Sequence, residues 1–319
     1  KTGDIIVAID QESMIGLEFG RILDLISGPA GSVVALRIKR GDDILTINVE
    51  RGLFDLEYCT GQKIDGVGYI RLTQFYGEES GVIARFRELL LEYRSLSGLV
   101  LDLRNNTGGH LSMAATLTSF FLKEGQPIVH AQGREGKRTL LAQGEVDLAG
   151  KLPLVVLVNE GSASASEIMA GALQDHRRAV IIGKKTFGKA SVQRIIRPLP
   201  ADSALIITTQ HYLTPSMRNL QGQGLVPDIV VPEISPDEEE VFYLKQIRRK
   251  GILENFKARG PYNETSLARM QEELAGHGYR IRPLLLTMIL KQEYGLMEKV
   301  DLETDVQLSR ALQFIQTGK

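Results

Sequence analysis

The chain has 319 residues, 43% of them hydrophobic and 24% charged, with 38 Lys plus Arg against 39 Asp plus Glu and a formal net charge of -1. At ~150 residues per domain the length suggests about two domains, and the composition excludes a disordered chain, a collagen and a coiled-coil rod. The balanced charge gives no broad electrostatic reason to bind nucleic acid or an anionic membrane, and the single cysteine, Cys59, excludes an internal disulfide framework and a Cys-rich zinc site.

Residues 1 to 54 read as a small β-rich module. The opening Lys1-Thr2-Gly3-Asp4 has no initiating methionine or leader, which implies a start inside a longer protein. Asp4 to Asp10 is a β-branched run bounded by acids, and Leu17 to Ile26 has helical spacing ended by Gly28-Pro29-Ala30-Gly31. Val33 to Ile38 and Ile44 to Val49 flank Arg40-Gly41-Asp42-Asp43 in a hairpin pattern. Residues 55 to 66 read as a linker or a crossing strand. Leu53 to Cys59 contains neither Gly nor Pro, which favours an ordered connection over a free tether.

From Val67 to about Val231 strands and helices alternate, which predicts an α/β domain with a helix-covered sheet. Strands are expected at Val67 to Leu72, Leu99 to Leu103, Leu154 to Val158, Val180 to Ile182 and Ser203 to Tyr212. Helices are expected over the stripe Val82, Phe86, Leu89, Leu90 and Tyr93, over Leu111 to Leu122, and over Ala165 to Gln174. The longest apolar runs, Leu152 to Val158 and Leu284 to Leu290, fall far short of the ~20 residues of a membrane span. Residues 232 to 319 predict three or four helices. Ser235-Pro236 and the acids Asp237 to Glu240 mark a start, and breaks fall at Gly260-Pro261, Gly276 and Gly295.

Three segments bear on chemistry. In Leu154 to Ile168 an apolar strand runs through Gly161-Ser162-Ala163-Ser164-Ala165-Ser166 into a helix. Such a joint exposes a side chain above a helix N-terminus, whose free N–H groups face developing negative charge. A serine here is a nucleophile candidate, although serine is also a common helix cap. In Ile182 to Gln193, Lys189 sits in a glycine-containing turn. Apolar walls around it would lower its pKa and make it a base, while a solvated turn lysine is the plainer reading. In Leu101 to Leu111 a strand enters Arg104-Asn105-Asn106-Thr107-Gly108-Gly109, where the Gly109 N–H could face an oxyanion or simply make a tight joint. The Gly-x-Ser-x-Gly elbow is absent. His110, His130, His176, His211 and His277 have neither the partner pattern of a Ser-His-Asp triad nor metal-ligand spacing.

Taken in order, these segments resemble the carboxyl-terminal processing, or tail-specific, proteases. The likeness also takes in Ala172-Leu173-Gln174-Asp175, Thr186-Phe187-Gly188-Lys189, Tyr212-Leu213-Thr214-Pro215 and Gly222 to Asp228, and spans roughly residues 1 to 231. It implies an α/β (α+β) protein with a crotonase-like or ClpP-like β-sheet protease core over 55–231. A PDZ domain lacking its beginning would occupy 1–54, and a helical extension 232–319. It further implies Ser164 as nucleophile, Lys189 as general base and Gln193 as the residue that helps hold the lysine. The backbone N–H groups of Gly109 and Ala165 become the oxyanion donors. Ala190 and Thr107 stand where the family usually has glycine and often proline. The implied activity is a serine endopeptidase cutting near protein C-termini, with no cofactor and no metal. Implied with it are protein or peptide substrates with exposed tails, no nucleic acid partner and an extracytoplasmic setting. The apolar stripe Leu284, Leu285, Met288 and Ile289 suggests subunit or domain contacts by residues 232–319, a homo-oligomer among them. An inactive PDZ and protease-like scaffold, or a crotonase-like acyl-CoA enzyme, are the rival readings.

Overall fold

A computed structural model of the chain describes residues 4–40, 43–53, 57–77, 79–134, 136–196, 204–298 and 300–318. The chain divides into two compact units, Lys1–Leu56 with Leu244–Ile252, and Glu57–Tyr243 with Leu253–Lys319. The first holds β1 (Ile5–Ile9), β2 (Glu12–Ser13), α1 (Phe19–Ile26), β3 (Val33–Arg40) and β4 (Asp43–Glu50), with strand order β2-β1-β3-β4. The expected hairpin is β3 with β4, paired from Val33↔Glu50 to Arg40↔Asp43; its Gly41 and Asp42 lie outside the described residues, as do residues 54–56 of the expected ordered connection.

The second unit opens with β5 (Cys59–Ile64), β6 (Val67–Leu72), α2 (Glu79–Tyr93), β7 (Leu99–Asp102) and α3 (Leu111–Ser119). There follow β8 (Pro127–Gly133), β9 (Gly136–Leu141), β10 (Leu154–Val158), α4 (Ala165–Asp175), β11 (Val180–Gly183), β12 (Ser191–Ile196), β13 (Leu205–Leu213) and β14 (Ile229–Val230). A six-stranded sheet has the order β14-β11-β10-β7-β6-β5; its strands are parallel except β5, which runs antiparallel to β6. Parallel neighbours send their carboxyl ends to one edge, and that edge gathers the turns after β7, β10 and β11. A second sheet, β12-β13-β8-β9, is antiparallel. The β8–β9 hairpin carries no strong pattern, because β9 is a largely exposed polar strand.

The sheet is buried on both faces, which is why β10 reads as five consecutive apolar residues. Leu154, Val156 and Val158 face a core built with Phe86, Leu89 and Leu90 of α2, Met113 and Leu117 of α3, and Met169 and Leu173 of α4. Val155 and Leu157 alternate to the other face, with Val67, Tyr69, Val100 and Ile182.

That second face is covered from the far end of the chain. The described helices after β14 are α5 (Glu238–Arg249), α6 (Ile252–Ala258), α7 (Ser266–Gly276), α8 (Pro283–Tyr294) and α9 (Val306–Thr317). The sequence indicated three or four; Gly251, in left-handed conformation at φ 63°, is the break that pattern reading passed over. Asp237 Oδ1 accepts from Glu240 N at 2.8 Å while Glu240 Oε2 accepts from Asp237 N at 3.1 Å, so Asp237, inside the expected start, is the cap. Leu308, Ala311 and Leu312 of α9 pack on Val100, Val155, Leu157 and Ile182. Of the stripe expected to make subunit or domain contacts, Leu285 and Ile289 are buried within the chain, and Leu284 and Met288 are half-buried.

The fold therefore needs α9. Leu308→Ala, at a fully buried position, should cost about 2–5 kcal/mol in chemical denaturation. A chain ended at Val231 should lose cooperative unfolding, because one face of the sheet is then bare.

Candidate active site

Ser164 stands where β10 turns into α4. Its φ of 55° and ψ of −112° put a non-glycine residue in a strained region. This elbow caps the amino end of α4, where Ser164 and Glu167 form a capping box, and it lacks flanking glycines. The neighbouring serines are occupied elsewhere. Ser162 Oγ donates to Leu103 O at 2.8 Å and accepts from Asn159 N at 3.0 Å, and Ser166 Oγ donates to Asn106 O at 2.8 Å. Both are fully buried, and Ser164 alone of the three is partly exposed. It lines a small hollow with Ile128, Val129, Ile168, Leu213, Leu220 and Lys189.

The turn after β7 is built against this elbow. Gly109 has φ 144°, and a Cβ there would lie 2.2 Å from Phe75 O, so only glycine fits. Phe75 N donates to Gly108 O at 2.9 Å and His110 N to Phe75 O at 2.8 Å. That pairing turns the N–H of Gly109 away from Phe75. Gly108 touches the elbow itself: a Cβ on it would meet Ala165 N and Ser164 Cβ, both at 2.9 Å. Asn106 fastens the two turns, because its carbonyl accepts from Ala163 N at 3.0 Å as well as from Ser166. The Gly108-Gly109 turn thus abuts the turn that carries Ala165, and among the described residues neither the Gly109 nor the Ala165 N–H donates to a protein acceptor.

A buried carboxylate that sequence reading passed over joins Ser164 to Lys189. Glu167, 2% exposed, accepts from Ser164 N at 2.9 Å and Lys189 N at 2.8 Å on the same oxygen, Oε2. Its Oε1 accepts from Thr186 Oγ1 at 2.5 Å and Gly188 N at 2.8 Å. Thr186 Oγ1 in turn accepts from Leu225 N at 2.6 Å. Charge-assisted bonds to backbone N–H are strong, so one side chain fixes both backbones. The signal was present as Ser164-x-x-Glu167, a helix-start spacing.

Two expectations change. Lys189 lines the hollow but its side chain is exposed, so the enclosing apolar walls are not in place around it. Gln193 faces solvent in β12, a β-bulge separates it from Val192, and it does not line the hollow. None of the five histidines lines the hollow either; His176 caps the carboxyl end of α4, where its ring meets Pro127 O at 2.7 Å.

Glu167→Gln replaces an acceptor oxygen by a donor facing backbone N–H groups. It should cost about 1–3 kcal/mol in thermal unfolding and speed amide hydrogen exchange at Gly188 and Lys189. Unchanged exchange there would separate Glu167 from the placing of the lysine.

Comparison with known proteins gives a consistent result. A carboxy-terminal-processing protease of Bartonella bacilliformis is 41% identical over 242 residues, covering 74% of this chain and 55% of that protein. The chloroplastic carboxyl-terminal-processing peptidase 2 of Arabidopsis thaliana is 33% identical, over 75% of this chain and 48% of its own length. The chain therefore spans about half the length of the curated relatives it matches. Among solved structures, a photosystem II D1 C-terminal processing protease superposes with a TM-score of 0.55 at 31% identity, covering 75% of this chain and 66% of that one. Residues 66–231, just over half of the chain, match the family model described as peptidase family S41, and the chain belongs to that family.

Proposed function

We propose that the protein is a serine endopeptidase of the carboxyl-terminal processing type, with Ser164 as nucleophile and Lys189 as general base. The observation that carries the reading is the strained Ser164 at the head of α4, tied through Glu167 Oε2 to the backbone of Lys189. Lys189, as the neutral amine, takes the Ser164 hydroxyl proton while Oγ attacks the scissile carbonyl carbon. The carbonyl oxygen becomes an oxyanion held by Gly109 and Ala165 N–H; one such donor contributes ~3–4 kcal/mol in a serine protease. The proton passes to the leaving amine, the C–N bond breaks, and an acyl-enzyme remains. Water attacks the ester, giving its proton to Lys189, and Ser164 is restored.

The finer parts of the reading concern the substrate. The first compact unit, with its four-stranded sheet and α1, is proposed to be a PDZ module that takes substrate C-termini; Phe19 and Leu23 of α1 present apolar surface to solvent. Substrates are then proteins with exposed tails, in an extracytoplasmic setting. Gln193 is left out of the mechanism because it faces solvent.

Ser164→Ala should lower peptide cleavage on the order of 10⁶-fold and abolish fluorophosphonate labelling, with the melting temperature preserved. Ser162→Ala should keep labelling at Ser164 and lose stability instead. Lys189→Arg should be inactive, since a guanidinium stays protonated. Labelling at Ser162, or activity in the Arg variant, would overturn the assignment.

A further inference from the structure

The turn that carries Gly109 is held from the side of the sheet opposite α4, by residues from the far end of the chain. Asp102 ends β7 and is fully buried. Arg104, its side chain 11% exposed, sets one edge of its guanidinium on Asp102, with Nε to Oδ1 at 3.0 Å and Nη2 to Oδ2 at 2.7 Å. The other edge meets Asp305 of α9, with Nη1 to Oδ1 and Nη2 to Oδ2 both at 2.7 Å. Asp305 is also the cap of α9, accepting from Leu308 N at 3.0 Å. The next residue is clipped in the same way. Asn105 N donates to Asn159 Oδ1 at 2.8 Å, and Asn159 Nδ2 donates to Glu233 Oε1 at 2.7 Å.

Asn105 has φ 58°, a left-handed conformation that costs energy in a non-glycine residue. Such a conformation persists only where its surroundings over-determine it. Here they are the double-sided Arg104 pair before it and the Asn159 clip upon it. Neither Arg104 nor Asp305 lines the hollow, so neither touches substrate there. Both Asp305 and Glu233 lie beyond the residues 66–231 that define the family match.

We propose that Asp305 is a positioning residue for the peptidase reaction: through Arg104, α9 sets the angle at which the Gly109 N–H meets the oxyanion. The proposal rests on the peptidase reading above. Shared charge makes the tie stiff, since one guanidinium bridges two carboxylates with planar two-bond contacts. Loosening it lets the glycine turn drift, and a drift of ~1 Å in a reacting group costs up to about 100-fold in rate.

Asp305→Asn separates the tie from the cap, because Asn caps a helix as well as Asp while losing the ion pair. In the full chain we expect kcat on a short peptide to fall about tenfold with KM within about twofold. A peptide aldehyde, whose adduct with Ser164 carries the oxyanion, should bind about tenfold more weakly, with all sites still titrating as active. Leu89→Ala opens the core on the other face of the sheet without touching α9 or Asp305; it should lower the melting temperature and leave kcat per titrated site unchanged. Wild-type kcat and aldehyde affinity in Asp305→Asn would overturn the proposal alone, and so would Leu89→Ala reproducing the losses of Asp305→Asn. A wild-type chain that neither cleaves peptide nor binds aldehyde would overturn the peptidase reading together with it.

Discussion

The buried carboxylate of Glu167 is the fixed point of the site. Its two oxygens accept four hydrogen bonds, from Ser164, Thr186, Gly188 and Lys189. A carboxylate taken out of water is costly unless it is fully bonded, and these donors meet that demand. The consequence is geometric. The backbones of Ser164 and Lys189 are fastened to the same oxygen atom, although 25 positions separate them in the sequence.

The sheet supplies the rest. β7, β10 and β11 are adjacent and parallel, so the glycine turn, the serine elbow and the loop leading to Lys189 leave from one edge. The two turns nearest the hollow approach so closely that Gly108 has no room for a methyl group against Ser164 Cβ and Ala165 N. Helix α4 lies under one face of this edge and α9 under the other. The face under α4 carries Ser164 and Glu167, and the face under α9 carries the Asp305–Arg104 tie to the turn after β7. Helix α9 thus enters the architecture of the core and covers its sheet.

Much of this was legible in the sequence, for identifiable reasons. The strands β6, β7, β10 and β11 and the helices α2, α3 and α4 follow from apolar runs and 3.6-residue stripes, which tertiary packing here reinforces. Ser164, Lys189, Gly109 and Ala165 are expected from motif order; Ser164 and Lys189 share the Glu167 carboxylate, and Gly108, beside Gly109, abuts Ser164 and Ala165. What stayed hidden depends on contacts between distant segments. Nothing local in Thr186 or Glu167 announces their bond, and nothing near Asp305 indicates Arg104, 201 residues away. The β-bulge beside Gln193 is likewise invisible locally, because it breaks the alternation that a strand pattern assumes. The enclosure expected around Lys189 was likewise an inference from neighbours in sequence, and the exposed side chain shows that those neighbours do not form the walls.

The central claim is that Ser164, Gly109 and Ala165 form one pre-set receptor for a tetrahedral oxyanion. The most direct measurement is a crystal structure of the protein with a peptide aldehyde bound. The account predicts a covalent bond from Ser164 Oγ to the aldehyde carbon, with the resulting oxygen about 2.7–3.1 Å from both the Gly109 and Ala165 nitrogens. An adduct on another residue, or an oxygen turned away from both N–H groups, would contradict it.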